Sequence, residues 1–293
     1  MKNIAFIGLG CMGLHMAKNL IDNGYKVYGF DMSLDQLNKH QNNGGIAAKS
    51  IKEACGYADA IILSLPGPNQ VSNVCDSSDG ILKIAKAGTI IIDTSTIDAN
   101  TSVLLAKKAK QNNLHMLDAP VSGGIIGAQN ATLTFMVGGD KEIFERCKNL
   151  FNSMGKKYLH VGDNGKGLII KLINNMLLGI NMIAASEACN FAEKTGINLK
   201  TFYDIVASST GSSWAFNKNF PMPDIIENVP ANNDYKPGFG APLIMKDINI
   251  AVETAQDYNI NLKLGLLAKE IYERMINSEE LNKKDFSAVI KVN

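Results

Sequence analysis

Arginine is nearly absent from this chain: its 293 residues hold only Arg146 and Arg274, both in stretches of helical pattern. An anionic ligand therefore has no guanidinium fork to meet it and must be held by backbone N–H groups, hydroxyls or lysine. Charge of one sign is lacking too. The 29 basic and 28 acidic residues leave a net charge of +1, with no basic run, which excludes an electrostatic nucleic-acid binder. Cysteine is sparse and dispersed, at positions 11, 55, 75, 147 and 189, without a C-x-x-C pair. That pattern argues against a disulfide framework or a zinc site and for reduced thiols in the cytoplasm. No apolar run reads as transmembrane, and the one in the opening MKNIAFIGLGCMG is too short for a secretory signal. The expectation is a cytoplasmic protein without membrane or nucleic-acid partners.

What the chain does contain is alternation. Strand-like runs stand at 3–8, 26–30, 60–65, 89–94, 114–119, 132–137 and 157–161, with helical patterns between most of them. Strand–helix alternation of this length predicts a doubly wound, mostly parallel sheet, because parallel neighbours need crossovers. Past Gly162 the strand signal fades. Residues 165–195 suit one long helix, and helical patterns follow near 199–208, 241–257 and 261–276. The Pro-, Asn- and Gly-rich segment 217–240 reads as a long loop. The predicted organisation is a doubly wound α/β domain over 1–163 and an all-α domain over 164–293, joined by a long interdomain helix.

Gly8-Leu9-Gly10-Cys11-Met12-Gly13 is a G-x-G-x-x-G between a strand and a helix, and Asp31 closes the next strand. In that setting Gly8 permits the tight turn, Gly10 lets the backbone approach a pyrophosphate, and Gly13 packs helix on strand. The anion would sit at the helix N-terminus and Asp31 would accept from the ribose hydroxyls. A ribose 2′-phosphate would meet the charge of Asp31 with no arginine to offset it, so NAD is favoured over NADP. Leu65-Pro66 and Thr94-Ser95-Thr96 follow strands at the same carboxyl edge, where ligands of open α/β sheets bind. For Ser95, turn capping and ligand contact both stay open. Asp118-Ala-Pro-Val-Ser122-Gly123-Gly124 follows another strand there. Its serine and two glycines make either a plain loop or a neutral cradle for a carboxylate.

In GKGLIIKLINNMLLG (165–179), Lys171 and Asn175 share a helix face, with Asn174 beside them. Lys171 is either a solvated lysine on an amphipathic helix or a desolvated one. In the second case its pKa falls and it can act as an acid–base catalyst. These residues alone leave both readings open.

Four blocks taken together resemble the β-hydroxyacid dehydrogenase family: FIGLGCMGLHMAKNL, DAPVSGGIIGAQNATLTFMVGG, GKGLIIKLINNMLLG and MKDINIA at 245–251. They span nearly the whole chain. The resemblance implies an NAD-binding Rossmann domain, a helical domain that supplies part of the site, and hydride transfer without metal, with Lys171 as acid–base residue and Asn175 as its substrate-orienting partner. Ser122, Gly123, Gly124 and Asn174 would bind substrate. Gly8, Leu9, Gly10, Cys11, Met12, Gly13, Asp31, Leu65, Pro66, Thr96 and Lys246 would hold NAD. SSWAFNKNFP, NDYKPGFG and KKDFSAVI are similar to members that oxidise 3-hydroxyisobutyrate to methylmalonate semialdehyde, as in valine catabolism. The expected partners are a small 3-hydroxy acid and further copies of the chain, as homodimer or homotetramer. Oxidation of another small 3-hydroxy acid, or reduction of tartronate, glyoxylate or succinate semialdehyde, is the alternative within the family, and a non-catalytic cofactor-binding module the alternative outside it.

Overall fold

A computed structural model describes residues 1–292. The chain divides by contacts into two compact units, Met1–Lys171 and Leu172–Asn293.

In the first unit the predicted alternation takes the form β1 (Asn3–Ile7), α1 (Gly13–Asp22), β2 (Lys26–Phe30), α2 (Leu34–Asn42), β3 (Ile46–Ala47), α3 (Ile51–Cys55) and β4 (Ala60–Leu63). It continues with α4 (Pro68–Asp76), α5 (Ile81–Ile84), β5 (Ile90–Asp93), α6 (Ala99–Gln111), β6 (His115–Asp118) and β7 (Val121–Ser122). Then come α7 (Gly124–Gln129), β8 (Leu133–Gly138), α8 (Lys141–Met154), β9 (Gly155–Gly162) and the start of α9 (Lys166–Lys194). Among the described residues the strands form one sheet in the order β3-β2-β1-β4-β5-β6-β8-β7, with β9 also on β8. Pairing is parallel from β3 through β6, whereas β8 runs antiparallel to β6 and β7.

Period-two side-chain alternation puts apolar residues on both faces, and helices cover both. Ile4, Phe6, Ile62, Ile92 and Leu117 pack with Met16 and Leu20 of α1 and Phe144 and Phe151 of α8. Ala5, Ile7, Ile61, Leu63 and Ile91 pack with Val71 of α4, Leu105 of α6 and Leu168 of α9. Burying each of these Val, Leu, Ile, Phe or Met side chains stabilises the fold by about 1.5–3 kcal/mol. The carboxyl ends of β1, β2, β4, β5 and β6 consequently share one edge, and every motif of the first unit follows one of those ends.

The second unit is helical: the rest of α9, α10 (Leu199–Ala207), α11 (Trp214–Lys218), α12 (Ala241–Asp257) and α13 (Lys263–Asn277). Met182, Ala185 and Cys189 of α9 pack into one core with Ile244 and Ile248 of α12 and Tyr272 of α13. Two expectations need correction here. The segment 217–240 is no plain loop: it completes α11 and forms a 3-10 turn at Pro230–Asn233. Phe220, Val229 and Tyr235 bury their side chains, the Tyr235 hydroxyl donates to the Pro221 carbonyl at 2.8 Å, and the buried Asp285 carboxylate accepts from Gly238 N and Phe239 N. Proline and glycine mark backbone that leaves regular structure, which is not the same as backbone that leaves the core. The second correction concerns α9. By length and composition it could cross a membrane, and 33% of its most apolar stretch is buried. Lys171 and the two asparagines interrupt the apolar run in sequence, but they are too few to lower the average over so long a helix.

Candidate active site

The turn after β1 is built as the glycine pattern requires. Gly8 has φ +94°, and a Cβ on it would lie 2.3 Å from the Ser64 carbonyl oxygen, so position 8 tolerates nothing larger. A Cβ at Gly13 would lie 2.0 Å from the Gly8 carbonyl, so this glycine lets α1 start directly against the turn. Gly10 is different: no atom lies within 4 Å of where its Cβ would be. Cys11 is exposed beside it, and Met12 is the N-cap of α1 without a side-chain cap. No acidic residue stands in the first turn of that helix. Open space at Gly10 above a helix N-terminus of this kind fits a pyrophosphate.

Asp31, at the end of β2, reaches back into the same turn. Its Oδ2 accepts from Leu9 N at 2.7 Å and its Oδ1 from Ser33 N at 2.8 Å. Across the edge, Leu65 N donates to Ser95 Oγ at 2.9 Å, so the loops after β4 and β5 are tied together. Ser95, at 4% exposure, is thus a strut of this edge. Pro66 is exposed and Thr96 half-buried on the same two loops.

Ser122 pairs with Thr134 of β8 and stays half-buried, while Gly123 (φ +133°) and Gly124 (φ +63°) turn the chain into α7. Both glycines are exposed, so their backbone is open to a small ligand.

Lys171 lies one turn past Gly167 on α9 and is only 9% exposed. The first turn of α9 meets the end of β6: Asp118, fully buried, accepts from Gly165 N at 2.7 Å and from Leu168 N at 3.2 Å. Burial pushes the Asp118 carboxyl above the usual carboxylate range, and these N–H donors pull it back. Nothing in the sequence reading gave Asp118 a part beyond marking the strand end.

In the second unit, Asn175 is 2% exposed and its Nδ2 donates to Asp247 Oδ2 at 2.6 Å. Asn174 is exposed and donates to Asn175 Oδ1 at 3.0 Å, fixing which end of the amide faces which neighbour. Lys246 Nζ lies 3.3 Å from Asp247 Oδ1. Asp247, itself 2% exposed, was missed in the sequence. Its signal was there: an acid inside the apolar run APLIMKDINIAV, the same oddity that exposed Lys171.

Comparison with known proteins decides the family. The description "NAD binding domain of 6-phosphogluconate dehydrogenase" matches residues 3–162, and "NAD-binding of NADP-dependent 3-hydroxyisobutyrate dehydrogenase" matches residues 165–293. A probable mitochondrial 3-hydroxyisobutyrate dehydrogenase of Dictyostelium discoideum is 41% identical over 98% of this chain and 89% of its own length. The chain belongs to the β-hydroxyacid dehydrogenase family. This family member is also 39% identical to an NAD-dependent L-serine dehydrogenase of Pseudomonas aeruginosa, over 100% of the chain and 98% of the relative. Among solved structures, the Mycobacterium tuberculosis 3-hydroxyisobutyrate dehydrogenase with L-serine superposes with a TM-score of 0.92 at 37% identity, covering 99% of this chain and 98% of that one. The β-hydroxyacid dehydrogenase described here is thus a nicotinamide-dependent oxidoreductase of CH–OH groups, with a Rossmann-like domain followed by a helical one.

Proposed function

We propose that this enzyme oxidises 3-hydroxyisobutyrate to methylmalonate semialdehyde with NAD, in a valine-degrading sequence in the cytoplasm. One observation carries the catalytic part of the reading: Lys171 is buried on a helix whose first turn is seated on β6, the strand that runs into the Ser122–Gly124 turn. The substrate carboxylate docks on Ser122 Oγ and the amides of Gly123 and Gly124. Neutral Lys171 accepts the proton of the substrate hydroxyl at Nζ, and as ammonium it returns that proton in the reverse direction. A bound nicotinamide supplies the hydride acceptor. Asn174 and Asn175 orient the substrate, Asn175 with its amide set by Asp247, and Lys246 serves the cofactor. Asp31 favours NAD because its carboxylate would repel a 2′-phosphate, and no arginine stands near in sequence to offset it. Five free thiols, four of them buried, support a reducing compartment.

A second copy of the chain completes the assembly. Ile173, Leu177 and Phe191 of α9 are 48%, 51% and 73% exposed, an apolar surface that a homodimer or homotetramer would cover. L-serine is the second reading of the substrate, favoured by the serine dehydrogenase relative and by the serine named with the M. tuberculosis structure. Initial rates with NAD and NADP against a panel of 3-hydroxyisobutyrate, L-serine, D-glycerate and the semialdehydes test both. The reading expects the highest kcat/KM for 3-hydroxyisobutyrate with NAD; a much higher value for L-serine transfers the assignment. Lys171→Ala should lower turnover about 10²–10⁴-fold with cofactor binding retained.

A further inference from the structure

Asp118 joins two parts of the first unit that are far apart in sequence. It is the last residue of β6, four residues before Ser122, and it caps a helix 47 residues further on. Its two oxygens take the N–H groups of Gly165 and Leu168, which belong to the N-cap and third position of α9. These are donors that no residue within the helix can satisfy. The helix brings no acid of its own to its first turn.

The surrounding residues are cleared for this contact. A Cβ at Gly138 would lie 2.6 Å from Asp118 Oδ2. One at Gly167 would lie 2.8 Å from that oxygen and 2.2 Å from the Met136 carbonyl. Two glycines on different elements thus let β8 and α9 close on one carboxylate. Alongside, Asn164 Nδ2 donates to the Met116 carbonyl of β6 at 2.9 Å, a second strut between the same strand and the same helix start. On its other side β6 leads into Val121 and Ser122, which are paired to β8 at Phe135 and Thr134. The chain from Asp118 to Ser122 is short, and so is the helix from Gly167 to Lys171, a single turn. The two short arms meet at Asp118.

We propose that Asp118 is a positioning residue that sets the placement of Lys171 relative to the Ser122–Gly124 cradle; this rests on the acid–base reading of Lys171 given above. It touches neither substrate nor cofactor. Its effect is on geometry: a displaced first turn carries the Lys171 amine away from the hydroxyl it must meet, while the cradle still binds the carboxylate.

The test is a KM-against-kcat split in two variants of the full-length enzyme. Asp118→Asn turns one acceptor oxygen into an NH2 facing a backbone N–H. Gly167→Ala removes no polar group but forces α9 away from the Met136 carbonyl. Both should lower kcat by about 10–100-fold, the order expected for a misplacement of about an ångström. The KM for the hydroxy acid and the Kd for NAD should stay within about threefold of wild type, since no binding contact is lost. Gly167→Ala alone decides the matter if Asp118→Asn fails to fold. Wild-type kcat in the folded variants overturns the proposal, as does a raised KM with kcat retained. Lys171→Ala is measured beside them: wild-type turnover there defeats the acid–base assignment. An inactive Lys171→Ala with fully active Asp118→Asn and Gly167→Ala defeats the positioning role alone.

Discussion

Gly10→Ala and Gly13→Ala should separate binding from folding at the dinucleotide turn. At Gly10 the added methyl meets no protein atom within 4 Å, and the backbone there is not in the left-handed region. The ligand-free protein should therefore hold its stability, or gain about 0.4–1 kcal/mol from a less flexible unfolded chain. The same methyl occupies the space a pyrophosphate needs to reach the backbone. Losing one charge-assisted hydrogen bond of about 1.5–3 kcal/mol raises the Kd for NAD by about 10–150-fold. At Gly13 the methyl would stand 2.0 Å from the Gly8 carbonyl, more than an ångström short of ordinary contact. Backbone faces backbone, so α1 must move, at a cost of about 1–3 kcal/mol. For a protein of this size that is a fall in Tm of about 2–4 °C per kcal/mol. Calorimetric titration with NAD and thermal melts of the ligand-free proteins measure both. Wild-type affinity in Gly10→Ala would refute the assignment of that space, and equal loss of Tm in the two variants would refute the distinction drawn between them.

Asp247→Ala should lower stability by about 1.5–3 kcal/mol, because the Asn175 amide loses a charged acceptor in a buried place; an unchanged urea midpoint would contradict that. His40 offers a pH dependence. Its ring is fully buried against Gly29 and Gly45, and burial lowers its pKa below 6.5 although Nε2 faces the Val27 carbonyl. Below that pH the unfolded chain binds a proton that the folded state refuses. Stability should therefore drop as pH falls from about 6.5, until the folded imidazole itself titrates. Urea midpoints at about pH 7.5 and 5.5 should fall further apart in wild type than in His40→Leu, and equal separations would rule the histidine out.

The parallel sheet was legible because strands buried on both faces must be apolar throughout, as IIID at β5 and AIIL at β4 are. The glycine turn was legible because its spacing reflects steric demands that only glycine meets. The reversal at β8 was not. TLTFMV carries no mark of direction, since antiparallel and parallel strands of a covered sheet use the same side chains. β3 and β7, two residues each, are too short for any periodicity. Lys171 and Asn175 stood out as polar residues in an apolar helix. The carboxylates that hold Asn175 and the start of α9 did not, because Asp247 and Asp118 lie 72 and 47 residues from the groups they bind. A carboxylate that accepts from backbone N–H groups needs no complementary residue type, so Asp118 left no pairing signal in the sequence at all. Ser95 was undecidable for a related reason: a hydroxyl that ties two loops and one that meets a ligand are the same residue at the same strand end.

Asp31 couples two properties that engineers usually treat as separable. Both of its oxygens already accept N–H groups, one from Leu9 within the glycine turn and one from Ser33 at the start of α2. Exchanging it to admit a differently decorated ribose also releases Leu9, the residue between the two turn glycines. Retargeting the enzyme to another dinucleotide therefore requires a replacement acceptor for that amide. A variant library at position 31 alone would select against itself, losing grip on the diphosphate as it gains tolerance at the sugar.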